Sequence, residues 1–211
     1  MLRRVFLSRF PAAAALVGVA PTQSPSASSP PPARFEAARH PQDDWFELPG
    51  KHRVCFDTWM AANFAEGVAF ASNYIGANKS GYGLEASELA VEIVVRHRTA
   101  PFGFNDAIWA KYGKTFSARQ SFVDPKTGQA PTTNVYGAQL GRLVKQGVHV
   151  AICNMSTRAY ARMLGEETGK TEDEVYQELT SNTFGNSHFV PAGIVAATRA
   201  QEHGYAIVSI G

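Results

Sequence analysis

The chain has 211 residues, of which 20 are Lys or Arg and 18 are Asp or Glu, and its formal net charge is +2. This near-neutral balance, without a run of Lys or Arg interleaved with aromatic residues, argues against nucleic-acid binding. Two cysteines are too few for a disulfide scaffold, and beyond the amino-terminal stretch the chain suits a single domain with one core.

The first residues have the order of regions found in a signal peptide. Arg3 and Arg4 precede a hydrophobic pair, and a weakly apolar stretch over residues 12–20 ends in small residues. This pattern predicts a twin-arginine signal peptide over residues 1–20 and a periplasmic or otherwise exported protein. The apolar stretch is too short to span a bilayer, so no stable membrane span is expected after signal removal. The alternative is a disordered terminus that contains Arg-Arg by chance.

A Pro- and Ser-rich segment follows the predicted signal peptide. Residues 21–42 cannot form a packed core and are expected to be a disordered linker. The folded domain is therefore expected to occupy residues 43–211 and to begin near Asp43. Because the twin-arginine pathway carries proteins that are already folded, this domain is expected to act outside the cytoplasm.

The first half of the domain alternates strand and helix patterns. Residues 53–57 form a short apolar run, and a helical stripe follows it. Residues 88–96 form the next predicted strand, which is apolar on both sides, as in a parallel sheet. Asn105 can cap a short helix that ends at Gly113, and residues 114–133 are then predicted to be a long loop.

The second half continues the alternation up to a cysteine. Asn134 can cap a helix that stops at Gly147. The next strand covers residues 148–152 and ends at Cys153, where another helix is expected to begin. A helix, a glycine and a strand in direct succession are typical of an αβ unit.

The last part of the chain completes the predicted fold. Thr171 and Glu174 form a capping-box pattern for one helix, and Pro191 can open another before a final strand over residues 205–210. The predicted fold class is α/β, with an open, mainly parallel sheet of four to five strands and helices on both faces. Its broad layout is expected to be flavodoxin-like.

Cys153 is the strongest candidate for a reactive side chain. It ends a buried strand and precedes a helix, so we expect it on the rim where parallel strands end and near the positive end of a helix dipole. Both features favour a reactive thiolate. The alternative is a packing role, because unpaired cysteines are often buried. Cys55 is expected in the core, and a reversible bridge between the two is possible only if their strands are neighbours.

Residues after two other strands are expected on the same rim. Asp57 ends the first strand and His97 follows the second, so both are predicted to be catalytic and to orient the thiol or shuttle protons. Arg96 and Arg98 flank His97 and are predicted to hold a thiolate or a bound anion. The alternative is a structural ion pair between Arg96 and either Asp57 or Asp106, which would leave His97 as a turn residue.

Three more residues complete the predicted ligand-binding set. Asn154 follows Cys153 at the strand end. Phe102 and Phe104 lie in a glycine-containing loop beside His97, where they can wall a pocket. The alternative for these two aromatic rings is core packing.

The chain lacks the local motifs of several catalytic and cofactor sites. It contains no His-Glu-x-x-His, no Cys-x-x-Cys and no Gly-x-Ser-x-Gly sequence. No cofactor and no metal site are therefore predicted. A metal set that assembles only in space, from Cys153, His97 and His188, is a minor alternative.

Four segments together resemble exported members of the DsrE/DsrF-like sulfur-relay superfamily. They are residues 51–57, 96–106, 147–153 and the closing part that begins at 190–195, and the resemblance extends over residues 43–211. It implies an α/β fold with a parallel sheet and frequent homo- or hetero-oligomers. In some members a cysteine after the third main strand carries a persulfide, and Cys153 matches that position.

Together with the predicted signal peptide, the resemblance implies an extracytoplasmic protein that transfers sulfur through Cys153, in a homo-oligomer and in the manner of a sulfurtransferase-like carrier. Its partner would be a sulfur donor or acceptor, either a small molecule or a protein. The best-understood relay proteins are cytoplasmic, however, and neither the predicted loop over residues 114–133 nor the Arg96-His97-Arg98 element is part of the minimal relay pattern. Two other interpretations stay open: a non-catalytic module that binds a small ligand or metal on the same rim, and a structural subunit of an exported oligomer.

Overall fold

The computed structural model describes residues 35–211. The predicted signal peptide and most of the predicted linker therefore lie outside the described residues. The strands are β1 (His52–Thr58), β2 (Leu89–Val95), β3 (His149–Cys153), β4 (Ser187–Val190) and β5 (Ala206–Ile210). The α-helices are α1 (Phe64–Tyr82), α2 (Asp106–Gln120), α3 (Gly137–Lys145), α4 (Asn154–Thr168), α5 (Glu172–Thr180) and α6 (Gly193–Glu202).

The five strands form one parallel sheet in the order β4-β3-β2-β1-β5. The chain moves stepwise across the sheet from β1 to β4, and β5 then pairs with the free side of β1. This confirms the prediction of an open, mainly parallel α/β sheet. This strand order differs from that of flavodoxin, which is 2-1-3-4-5.

The helices lie on both faces of the sheet, as predicted, and the two faces differ in side-chain size. Large residues such as Phe56, Ile93 and Ile152 point to the face covered by α1 to α5. The other face carries small residues, including Ala90 and Ala151, and is covered by α6 and the aromatic residues near it. Because side chains alternate along a strand, this division follows directly from the strand sequences.

The predicted start of α5 is confirmed by the structure. Thr171 and Glu174 form the capping box, in which the Glu174 N–H donates to Thr171 Oγ1 at 3.2 Å and the Thr171 N–H donates to the Glu174 carboxylate at 2.8 Å. A 3₁₀-helix over Pro41–Phe46 begins slightly before the predicted domain start at Asp43. Within residues 35–211, no helix combines the length and apolar character that a membrane span requires.

Gly113 does not end a helix, which corrects the prediction for this region. Helix α2 continues to Gln120, and the loop begins at Ser121, whose φ of 52° is left-handed. The carbonyl group of Pro131 packs against Gly113 in the space that a side chain would occupy. A tertiary contact therefore explains this glycine.

The alanine substitution Gly113→Ala is expected to destabilise the protein by roughly 1–3 kcal/mol, because the new methyl group would collide with the Pro131 carbonyl oxygen. Urea denaturation measures this change. Gly76→Ala is the matched control, since Gly76 is an exposed position of α1 with nothing near its Cα hydrogen. Its substitution is expected to stabilise the protein by about 0.5–1 kcal/mol. Equal effects of both substitutions would contradict this explanation.

Candidate functional site

Cys153 ends β3 and forms the amino-terminal cap of α4. Its Sγ accepts a hydrogen bond from the backbone N–H of Ser156 at 3.4 Å, and its carbonyl oxygen accepts one from Thr157 Oγ1 at 3.0 Å. The thiol thus occupies the place that a serine or aspartate side chain usually takes at a helix start. A negative charge on Sγ would be stabilised there by the helix dipole.

Arg96 places a fixed positive charge near this thiol. Its Nε and Nη2 donate to the two carboxylate oxygens of Asp57 at 2.6 and 2.9 Å, and its guanidinium lies 5.0 Å from the centre of the Trp59 ring. The hydrogen bond to Asp57 raises the pKa of Arg96, burial opposes the increase, and the negative charge of Asp57 adds to it. Arg96 and Cys153 directly follow the paired residues Val95 and Ile152 of β2 and β3, so the register of these strands places them side by side. The ion pair considered as the structural alternative is therefore present, beside the thiol.

Gly193, the first residue of α6, lies directly against the Arg96 side chain. An ideal Cβ at this position would be 2.5 Å from Arg96 Cβ and 2.8 Å from Arg96 Cδ. A glycine is therefore required for α6 to approach this closely. The start of α6 and the start of α4 lie at the ends of the neighbouring strands β4 and β3.

His97 contributes its backbone to this arrangement, while its ring lies elsewhere. The His97 N–H donates to Ser156 Oγ at 2.9 Å, and its φ of 53° is left-handed. Its exposed ring lines a separate cavity together with Arg98. Asp57 is bound to Arg96, and His97 lines a different cavity from the neighbours of Cys153. The side chains of Asp57, His97 and Cys153 therefore do not form a catalytic triad.

Phe102 and Phe104 belong to the core, which differs from the expected pocket wall. Both side chains are fully buried, and the Phe102 ring stacks on Phe64 at 4.6 Å and on Trp109 at 5.3 Å. The side-chain amide of Asn134 donates to the carbonyl oxygens of both phenylalanines at 2.8 Å. Phe102 and Phe104 therefore pack in the core and offer no surface to a ligand.

A groove of about 940 Å³ begins at the residues next to Cys153. Asn154 and Val190 line it, and Val190 is the residue that pairs with Cys153 across β3 and β4. The Asn154 side chain accepts a hydrogen bond from the Tyr176 hydroxyl at 2.9 Å, which fixes this end of the groove. Cys153 itself is only 5% exposed. Cys153 does not line the groove, so a small molecule bound there would contact its neighbours Asn154 and Val190.

His188 lines the groove and contacts a second histidine, His149, and sequence reasoning did not connect the two. His149 Nδ1 and His188 Nε2 are 3.0 Å apart, and the Trp45 ring stacks on His188 with ring centres 5.0 Å apart. Burial lowers the pKa of both histidines, and the neighbouring His188 lowers that of His149 further. Neutral imidazoles are thus favoured at this wall of the groove.

Sequence reasoning also missed a buried acid under α6. Glu92 lies in the middle of β2, where Cys55 on β1 and His149 on β3 are its register partners. It is 1% exposed, and within residues 35–211 neither carboxylate oxygen has a hydrogen-bond partner. Burial raises the pKa of Glu92 well above its usual value. The only indication in the sequence is a single acidic residue within an apolar strand.

Cys55 is buried, as expected, but it cannot form a bridge with Cys153. Strand β2 lies between their two strands, so their separation is about two strand spacings, or roughly 10 Å. A disulfide requires Cα atoms closer than about 7 Å. Both cysteines are free, and burial, followed by the charges of Glu92 and Asp57, raises the pKa of Cys55.

The structure assembles no metal site from the residues that it describes. Within residues 35–211, no group of three or more His, Cys, Asp or Glu side chains is arranged to hold an ion. The set of Cys153, His97 and His188 considered from the sequence is therefore not formed. His97 and His188 line different cavities.

Comparison with solved structures shows distant structural similarity. No known family model matches the chain, and no curated protein matches it. Among solved structures, the chain is similar to a protein of unknown function from Methanobacterium thermoautotrophicum, with 16% sequence identity and a TM-score of 0.42. The matched region covers 75% of this chain and 99% of that protein.

Proposed function

We propose that this protein carries sulfane sulfur as a persulfide on Cys153, as an exported, oligomeric member of the DsrE/DsrF-like superfamily. The observation that carries the proposal is the position of this thiol, which caps α4 beside the Arg96–Asp57 ion pair. The resemblance of the sequence around Cys153 to that superfamily supports the same role.

The groups around Cys153 can stabilise a negative charge on its sulfur. Thiolates, and not thiols, attack sulfur electrophiles. The Ser156 N–H, the start of α4 and the Arg96 guanidinium all place positive charge near Sγ. The same groups can stabilise the negative charge of a persulfide once it has formed.

In the proposed loading step, the Cys153 thiolate attacks the outer sulfur of a donor persulfide, R–S–S–H. A new S–S bond forms to Cys153 while the donor S–S bond breaks, and the donor leaves as the thiolate R–S⁻. An acceptor thiolate then attacks the outer sulfur on Cys153, and Cys153 leaves as a thiolate. The sulfur atom is exchanged between thiols, so neither step requires an oxidant or a reductant.

The other predicted site residues have supporting roles in this proposal. Asp57 holds the Arg96 guanidinium through two hydrogen bonds. His97 fixes Ser156 through its backbone N–H, and Ser156 in turn donates to the thiol. The donor approaches along the groove that begins at Asn154. No proton transfer by Asp57 or by the His97 ring is required.

Loading of the protein with sulfur tests the proposal. The purified protein is incubated with polysulfide, and its intact mass is measured under non-reducing conditions. We expect one added sulfur atom that dithiothreitol removes, and no addition to Cys153→Ser. Cys55→Ser is the matched control and is expected to load normally, because Cys55 is fully buried. A wild-type protein that gains no sulfur, or a Cys153→Ser protein that gains as much, overturns the proposal.

The groove favours a second candidate function, which is binding of a small ligand without turnover. Its volume of about 940 Å³ is within the range of small-molecule sites. Thermal denaturation with thiosulfate as the probe distinguishes the two functions. If stabilisation by thiosulfate persists in Cys153→Ala and disappears in Arg199→Ala, which changes the arginine that lines the groove, binding without thiol chemistry is favoured.

A further inference from the structure

A second cavity lies between α2 and α4, apart from the groove. Its volume is about 400 Å³, and its lining includes His97, Arg98, Arg119, Ser156, Tyr160 and Met163. Cavities of this size accommodate small organic molecules.

The lining of this cavity is positively charged and contains no acidic residue. Within residues 35–211, the guanidinium groups of Arg98 and Arg119 form no hydrogen bond or ion pair with the protein. By contrast, the guanidinium groups of Arg96 and Arg199 are bound to carboxylates. Two arginines without acidic partners that face one cavity are suited to hold the oxygens of an anion.

The two arginines come from different elements and line the same cavity as Tyr160. Arg119 belongs to α2, and Arg98 belongs to the segment after β2. Burial raises the pKa of Tyr160, while the hydrogen bond from Gln120 and then the positive charges of Arg119 and Arg98 oppose that increase. An anion in this cavity would meet both charges.

Hydrogen bonds fix the polar wall of the cavity before any ligand arrives. The Tyr160 hydroxyl donates to the His97 carbonyl oxygen at 3.4 Å, and the His97 N–H donates to Ser156 Oγ at 2.9 Å. Behind them, the Gln120 side chain is 3% exposed, and its Oε1 has no partner within the described residues. The Gln120 amide nitrogen lies 3.5 Å from the Tyr160 hydroxyl.

We propose that this cavity binds a small organic anion, with its phosphate, sulfonate or carboxylate group between Arg98 and Arg119. The apolar part of the ligand packs against Met163 and the Tyr160 ring. This site is distinct from persulfide formation, because Cys153 does not line the cavity. Ser156 connects the two places, since its hydroxyl lines the cavity and its backbone N–H donates to Cys153.

Phenyl phosphate is a suitable probe, because it combines an anionic group with an apolar ring. Isothermal titration calorimetry is expected to show binding to the wild-type protein, weaker binding of inorganic phosphate and no binding of benzyl alcohol. Arg98→Gln and Arg119→Gln are each expected to raise the dissociation constant for phenyl phosphate about tenfold or more, through loss of charge-assisted hydrogen bonds. Cys153→Ser is expected to bind as the wild type does, so the result does not depend on sulfur chemistry.

Arg142→Gln is the matched control for non-specific charge. Arg142 lines another cavity of about 410 Å³ that contains no other cationic residue. Its substitution is expected to leave the dissociation constant unchanged. The proposal is overturned if the wild-type protein does not bind millimolar phenyl phosphate, if benzyl alcohol binds equally well, or if Arg142→Gln weakens binding as much as Arg119→Gln does.

Discussion

Replacement of Arg96 by leucine is expected to lower the free energy of unfolding by about 3–5 kcal/mol, as measured by urea denaturation. The substitution removes both hydrogen bonds from the Asp57 carboxylate, which is only 4% exposed. A buried carboxylate without a partner is costly because neither water nor a cation compensates its charge. The same substitution removes the fixed charge near Cys153, so slower loading with sulfur is also expected.

A double-mutant cycle separates the ion pair from simple packing loss. The combination of Arg96→Leu with Asp57→Asn is expected to recover part of the lost stability, because no unpaired charge remains. Lys79→Gln is a surface control, since Lys79 and its partner Glu85 have 64% and 62% exposed side chains. Its effect is expected to stay below about 1 kcal/mol. If Arg96→Leu lowers the free energy of unfolding by no more than this control does, the ion pair does not stabilise the rim.

Replacement of Glu92 by glutamine is expected to remove a strong pH dependence of stability. Burial raises the folded-state pKa of Glu92 well above its ordinary value of 4.5, so the folded protein binds this proton more tightly than the unfolded chain does. The stability that protonated Glu92 contributes is therefore complete below pH 4.5 and is lost as the pH rises through the folded-state pKa. Between these two values the loss is about 1.4 kcal/mol per pH unit.

Glutamine has nearly the same shape as glutamate and does not ionise. We therefore expect Glu92→Gln and the wild type to have similar stability at pH 4, and the variant to be clearly more stable at pH 8. Denaturant titrations across this range measure the difference. Glu88→Gln is an informative control, because hydrogen bonding by Lys51 lowers the pKa of Glu88. Its effect on the pH dependence of stability is therefore expected to have the opposite sign to that of Glu92→Gln. Parallel pH profiles of stability for Glu92→Gln and the wild type would show that folding does not raise the pKa of Glu92.

The rim could be predicted from the sequence because parallel strands that end together deliver their next residues to one edge. Asp57, Arg96 and Cys153 each follow or end an apolar run, and the structure places the arginine beside the other two. The direction of His97 could not be predicted in this way. Its left-handed backbone and its contacts with Ser156 and Tyr160 depend on residues about sixty positions away in the chain.

Other differences arose where tertiary contacts override local patterns. Glycine often ends a helix, but the close approach of the Pro131 carbonyl group requires Gly113 inside α2. Strand β4 was not predicted, because its four residues, Ser-His-Phe-Val, are too few to show a periodic pattern. Phe102 and Phe104 lie in a loop-like sequence, and only the surrounding aromatic rings place them in the core.

The position of β5 has a consequence for how the protein is made. Val54 of β1 pairs with Ala206 of β5, so these neighbours in the sheet are separated by most of the domain along the chain. While the ribosome synthesises the intervening residues, one edge of β1 has no hydrogen-bonding partner. Open strand edges recruit strands from other chains. Until β5 has been synthesised, that edge of β1 is therefore open to pairing with strands of other chains.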